Sequence, residues 1–335
     1  MNDISAFYVN LSLGASTALE AQSLLESIDN SATYHTLNNL RPALGIYNIS
    51  TGSVLKKVQQ LCLKLEDLFQ LVSSISEFNE LKEKDDFTQG IVDYIELSLY
   101  AASNHVDDLT LIAKHFYQND KERKRCRDFR KFMSEIKDYK NFITAVTNKI
   151  KHSQHRVAFY SREFKHEDRY GILHGYIIES VIDGVVGPSP IFHSKERCVF
   201  STTSLVWEII VFILLTSRSL KTFLKTKKHL HGPLKTNHSQ TLKKAILAAV
   251  RLPIYQLDED FPLKKLHLKF VWDESSVKES SSSIYGSLSN PWLPSYSFNL
   301  GGMNTQFIAD GITNKFNIIV ATPRVSLHRL PLQKY

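Results

Sequence analysis

The sequence predicts an α+β protein, mainly α: an N-terminal up-and-down helical bundle, then a β-hairpin, a long helix and a small mixed C-terminal part. Three observations carry this. Apolar residues recur at three- and four-residue steps through most of 54–150, as in helices with one buried face. After His155 the pattern changes to period two, with β-branched and aromatic residues, as in strands. The last third mixes short apolar runs with a serine-rich stretch at 275–289, which reads as a flexible loop.

Residues 1–52 carry short apolar patches, broken at Pro42, Gly45 and Gly52, with one helix expected near Ala15–Ile28. Residues 53–156 are the bundle. Val54, Val58, Leu61, Leu65, Leu68, Val72 and Ile75 form the stripe of a first helix, with Ser53 as its N-cap. A second helix spans 86–103 through Ile91, Ile95, Leu99 and Ala102, and Ser103 or Asn104 caps a third through Val106, Leu109, Ile112, Ala113 and Phe116. Phe129, Phe132, Ile136, Tyr139, Ile143, Val146 and Ile150 place the fourth, expected as one long helix.

Residues 157–252 open with a hairpin, 157–164 and 170–182, followed by a turn at Asp183-Gly184 and a loop at 187–190. A helix over 202–228 has an apolar first half and a basic second half. Its most apolar window, Leu205–Leu215, is about half a bilayer span and contains Glu208, so a buried helix is expected and no membrane partner. A further helix is expected near 240–250. In 253–335 the strands are 264–272 and 316–321.

The composition, 43% hydrophobic and 22% charged, is that of an ordinary soluble globular chain. Three well-separated cysteines suit a reducing compartment, and Met1–Leu13 lacks the pattern of a secretory signal, so a cytoplasmic location is expected. The net charge of +7 is unevenly distributed. Residues 121–131 hold seven Lys/Arg against two acids, and residues 218–251 hold nine with no acid, which leaves the remainder at −7. Concentrated positive charge is the footprint of a phosphate-binding surface, and solvated helix faces give the same runs. Arg123, Lys124, Arg125, Lys225, Lys227 and Lys228 are therefore candidate nucleic-acid contacts.

Neither a G-x-x-x-x-G-K loop nor a G-x-S-x-G elbow occurs, which argues against nucleotide hydrolysis and acyl transfer by those routes. His229, His231 and His238 lack a cysteine or carboxylate companion, and Asp258-Glu259-Asp260 reads as an acidic turn, so no metal or other cofactor is expected. Glu96, Asp107 and Asp108 are suited either to a polar network with His105 or to solvation.

The end of the fourth helix, Tyr139–Arg156, runs into a basic, histidine-containing turn, with Asn148 and His152 one turn apart on its polar side. Thr147-Asn148-Lys149-Ile150-Lys151-His152 resembles the signature of the HEPN superfamily: an Arg, a polar residue, three variable residues and a His. The resemblance covers roughly 54–156, and the Asn-Lys-Ile-Lys-His run is similar to that of uncharacterised bacterial members. It implies a helical bundle that often forms a homodimer, a place in a bacterial phage-defence or toxin–antitoxin system, and RNA rather than DNA as partner. The motif Arg is replaced by Thr147.

In metal-independent RNA cleavage an imidazole transfers the proton of the ribose 2′-hydroxyl, and a cation stabilises charge on the phosphoryl oxygens. His152 with Asn148 are the catalytic candidates, and Lys149, Lys151, His155 or Arg156 would supply nucleic-acid contacts and the missing charge. The same His and Lys residues would also complement the negative end of the helix dipole. Three readings follow: a nucleic-acid-binding protein, a non-catalytic dimerisation or interaction module with a partner on the C-terminal region, and a ribonuclease.

Overall fold

In the computed structural model the described residues are 7–10, 19–74, 85–166, 169–182, 185–193, 199–227, 239–249, 251–252 and 254–256, with 267–271, 281–283, 296–299, 303–307, 316–320 and 324–329. The chain begins with β1 (Phe7–Asn10) and the short helix α1 (Gln22–Glu26), and continues into α2 (Ala43–Ser74) and α3 (Asp85–Lys114). Three shorter helices follow, α4 (Asp120–Arg125), α5 (Arg127–Glu135) and α6 (Lys137–His152). Strands β2 (Arg156–His166), β3 (Arg169–Ile182), β4 (Val185–Pro188) and β5 (Phe200–Ser201) lead into α7 (Thr202–Lys225), and α8 (Gln240–Ala249) closes the helical part.

Helix α2 starts ten residues before the expected Ser53 cap, so Gly45 and Gly52 lie inside a helix rather than at its boundary. Each glycine costs about 0.5–1 kcal/mol of helix propensity relative to alanine, but Ala43, Tyr47, Val54, Leu55 and Val58 around them are buried. Packing of that face outweighs the local cost.

Helix α3 runs unbroken through Ser103 and Asn104, where a cap between two helices was expected. The Ser103 hydroxyl pairs with Thr147 Oγ1 at 3.2 Å instead of capping, and Ala101, Ala102, His105 and Val106 are buried on both sides of it. The expected single fourth helix is interrupted at Ile136, whose φ of −100° and ψ of 3° end α5 and begin α6. Both halves lie against α7: Phe132 stacks on Phe223 with centroids 5.6 Å apart, and Tyr139 meets Phe212 at 5.5 Å.

Helix α7 is the axis of the fold. Its buried residues lie on every side, among them Leu205, Trp207, Ile210, Phe212, Leu220 and Phe223. It is long and apolar enough to cross a membrane by length and composition alone, yet 89% of its most apolar window is buried against the rest of the protein. It therefore packs as a core helix. Ser201 caps it, its hydroxyl accepting from Ser204 N.

Contacts along α7 set the directions of the other helices. Tyr47 and Ser50 of α2 reach Ser217 and, through His105, Thr216, while Phe116 at the end of α3 meets Phe223. Helix α3 thus runs parallel to α7, and α2 and α6 run antiparallel. The sheet β2–β3–β4 is antiparallel, with β5 also on β3, and β2 pairs with β3 from Arg156↔Glu179 to His166↔Arg169. It covers the end of the bundle where α7 begins, since Thr202 Oγ1 donates to the His174 carbonyl at 3.0 Å.

The C-terminal strands are β6 (Ile254–Gln256), β7 (His267–Val271), β8 (Ser281–Ser283), β9 (Tyr296–Asn299), β10 (Met303–Phe307), β11 (Phe316–Val320) and β12 (Arg324–Arg329). They pair as β1–β7–β8, β6–β12–β9 and β10–β11. Of the serine-rich stretch only Ser281–Ser283 is described, as a strand rather than a loop; the turn at Asp183-Gly184 lies outside the described residues.

His105 and His174 are fully buried. His105 Nδ1 lies 2.7 Å from Ser50 Oγ and its Nε2 3.1 Å from Thr216 Oγ1. Thr216 donates its own proton to the Ile213 carbonyl, so it accepts from His105 Nε2–H. His174 Nδ1 lies 2.8 Å from Ser161 Oγ, and the ring stacks on Phe159. Burial lowers both from the ordinary value of 6.5 to about 3. Of the three acids suited to a network with His105 or to solvation, Asp108 shares Ser50 with it, Asp107 is exposed, and Glu96 lies beside Val157 and Arg156 instead.

Candidate nucleic-acid interface

The candidate residues separate into two groups at opposite ends of the bundle. At one end α5, which follows α4, meets the last turn of α7, where Phe132 lies on Phe223. Lys227 Nζ lies over the Tyr117 ring at 4.7 Å and over the Phe223 ring at 5.7 Å. Burial raises the Cys126 thiol, but the Tyr117 hydroxyl, the backbone N–H groups of Phe129 and Asp128, and Lys227 together hold it below its usual range. Lys227 thus reaches the α4–α5 junction. Lys124, Arg125 and Lys225 are exposed at this same end.

Not every cation of the two basic runs remains available. Arg123 is buried, its Nη1 donating to the Thr110 carbonyl at 3.2 Å and its Nη2 lying 3.4 Å from Asp120. This removes Arg123 from the phosphate-facing set, because the turn of α4 points it at the end of α3. Arg218 and Lys221 pair with Glu20 at 2.9 and 2.8 Å, and Arg251 grips Glu66 with two bonds of 2.8 Å. Lys228, the three histidines after it and Asp258–Asp260 lie outside the described residues.

The other group lies at the far end of α6. Helix α7 has 24 residues, so the two ends are about 36 Å apart at 1.5 Å per residue. Asn148 and His152 are exposed, one turn apart, as the periodicity requires. Lys151 is exposed, with its ammonium 4.8 Å above the Tyr100 ring, and Lys149 is half-buried. Arg156 is exposed and donates to the carbonyls of His155 and Ile150, which closes the end of α6.

His155 does not join them. It is buried, with Nδ1 donating to the Ser153 carbonyl at 3.0 Å and Nε2 at 3.1 Å from Ser189 Oγ. These bonds pin the turn between helix and sheet, so His155 is a structural residue. Glu96 stands nearby; its burial raises the carboxyl above its ordinary value, while the Val157 N–H and Arg156 oppose the shift.

Thr147 is 1% exposed, its hydroxyl donating to the Ile143 carbonyl at 3.0 Å. Five residues of helix rotate a side chain by about 140°, so position 147 faces the core when His152 faces solvent. An Arg at 147 would enter the packed interface between α6 and α3. Thr147→Arg is expected to destabilise the fold by about 2 kcal/mol or more, through overpacking and an unpaired buried charge, measured as a lowered urea midpoint. An unchanged midpoint would mean that the α3–α6 interface opens readily.

The basic face extends beyond the residues that the sequence singled out. Arg127, Arg130, Lys131 and Lys137 are exposed along α5 and α6, and Lys140 is half-buried. They lie opposite the apolar stripe from Phe129 to Ile150, a relation visible in the periodicity once one face is known to be buried. Among the described residues no group of three His, Cys, Asp or Glu side chains could hold a metal ion. Comparison with protein-family models, with curated proteins and with solved structures gave no match.

Proposed function

We propose that this chain is a cytoplasmic nucleic-acid-binding protein that holds a phosphate backbone, with RNA as its main partner and without catalytic turnover. One observation carries the reading: the last turn of α7 packs against α5 through Phe223 and Phe132, and Lys227 just beyond it reaches the Tyr117 ring just before α4, so basic runs about a hundred residues apart in sequence meet. Acidic neighbours engage Arg123, Arg218, Lys221 and Arg251, while Lys124, Arg125 and Lys225 are left exposed. Clustered, exposed cations raise local counterion density, and their release on binding favours association. The HEPN resemblance of the 147–152 segment points to the same partner and to a role in bacterial defence.

A metal-independent ribonuclease is the second reading, favoured by the exposed pair Asn148 and His152 on one side of α6. The test is incubation of wild-type and His152→Ala protein with labelled RNA in EDTA at two salt concentrations. Both proteins are expected to retard the RNA, less at higher salt, and neither to cut it. Cleavage by the wild type alone would replace the binding reading with the nuclease. Absence of retardation at either salt would leave the bundle as a dimerisation or protein-interaction module.

A further inference from the structure

The shape of the basic face speaks to the form of nucleic acid it would hold, an inference that rests on the nucleic-acid reading. Ile136 is fully buried at the break between α5 and α6, so the apolar stripe passes through the break without changing sides. The opposite side is therefore one solvent-facing band, with Arg130, Lys131, Lys137, Asn148, Lys151 and His152 exposed along it, together with the acid Asp138. The two helices have 9 and 16 residues, so the band is at most about 39 Å long. That is close to one turn of a double helix, about 34–36 Å.

Single strands are held differently, by aromatic rings on which the bases stack beside a cationic groove. Among residues whose side chains are described, no Phe, Tyr or Trp is exposed. The two rings nearest the cations are already covered, Tyr100 by Lys151 at 4.8 Å and Tyr117 by Lys227 at 4.7 Å. Bases would find no exposed ring along α5 and α6, whereas phosphates would find the cations Arg130, Lys131, Lys137 and Lys151. We infer that the ligand of this face is a double helix, held by its phosphates along α5 and α6 over about one turn, without reading of bases.

Fluorescence anisotropy of the full chain with labelled 20-base-pair RNA and DNA duplexes, with U20 and with an 8-base-pair duplex tests this. At about 0.1 M salt the long duplexes are expected to bind about tenfold tighter than U20, and a change of base sequence to alter affinity less than about threefold. The short duplex, about 27 Å long at 3.4 Å per base pair, is expected to bind about tenfold more weakly. Arg130→Glu with Lys137→Glu should abolish duplex binding, and Lys56→Glu on the exposed side of α2 should leave it unchanged. U20 bound as tightly as the duplexes, or strong sequence dependence, would overturn the inference while sparing nucleic-acid binding. No binding of any probe would overturn the functional reading itself.

Discussion

Replacing Lys124, Arg125, Lys225 and Lys227 together by Gln is expected to weaken nucleic-acid binding about a thousandfold at 0.15 M salt. Each phosphate contact contributes about 0.9 to the slope of log affinity against log salt for a duplex, so four contacts contribute about 3.6. Extrapolated from 1 M salt, where the release of counterions contributes little, that slope amounts to about three orders of magnitude. The variant should therefore show both a lower affinity and a flatter salt dependence, a signature that a merely misfolded protein lacks. Lys227 also covers the Tyr117 and Phe223 rings, so the melting curve of the variant must be compared with the wild type. A full loss of affinity with an unchanged slope would mean that these four residues do not touch phosphate. Binding equal to the wild type would move the interface elsewhere.

The second large effect is on stability against acid. His105 and His174 are neutral in the folded protein because burial lowers their titration from 6.5 to about 3. Once unfolded, each takes up a proton near 6.5, so between these values the unfolded chain binds more protons and stability rises with pH. Their contribution is full above 6.5 and is lost as pH falls towards about 3. From pH 7 to pH 5 the loss is about 2 kcal/mol for each histidine, or about 4 kcal/mol together, a large share of the net stability of a domain.

Among the described residues these two carry the lowered histidine titrations. Glu20 is lowered although burial opposes the shift, because Lys221 and Arg218 hold it as the carboxylate; it adds to the loss only at lower pH. Glu96 and Asp108 are raised chiefly by burial and act with the opposite sign. The groups around His105 are the hydroxyls of Ser50 and Thr216, with Asp108 sharing Ser50. Those around His174 are Ser161 and the rings of Phe69 and Phe159.

Urea midpoints at pH 7, 6 and 5 measure the slope directly. His105→Gln is expected to lower stability at pH 7, since Ser50 and Thr216 lose a well-fitted partner, but to halve the decline between pH 7 and pH 5. The change in slope is the readout, because a merely structural role would lower all three midpoints equally. A wild-type midpoint that does not move over this range would show that both histidines open to water before the protein unfolds.

Much of the helical architecture can be read from the chain because a buried face imposes a period. The stripes at Val54–Leu68, Ile91–Ala113 and Phe129–Ile150 all became buried faces, and the hairpin after His155 follows from the change to period two. Asn148 and His152 are solvent-facing for the same reason: the apolar stripe fixes the opposite side of α6. The strong concentration of charge in 121–131 and 218–251 is also a property of sequence alone.

Only the tertiary structure decided where helices end and which charges remain exposed. Gly45 and Gly52 resemble breaks until the packing of α2 outweighs their propensity, and Ser103 resembles a cap until Thr147 occupies its hydroxyl. Arg123 and His155 look like their basic and polar neighbours in sequence. One is turned against the Thr110 carbonyl and the other between Ser153 and Ser189, because a helix of six residues and a tight turn fix directions that no period encodes. The meeting of Lys227 with Tyr117 joins residues 110 positions apart, and it depends on the direction in which α7 crosses the bundle. Periodicity reports what a residue faces within its own helix; which element it then meets is set by burial of the whole core.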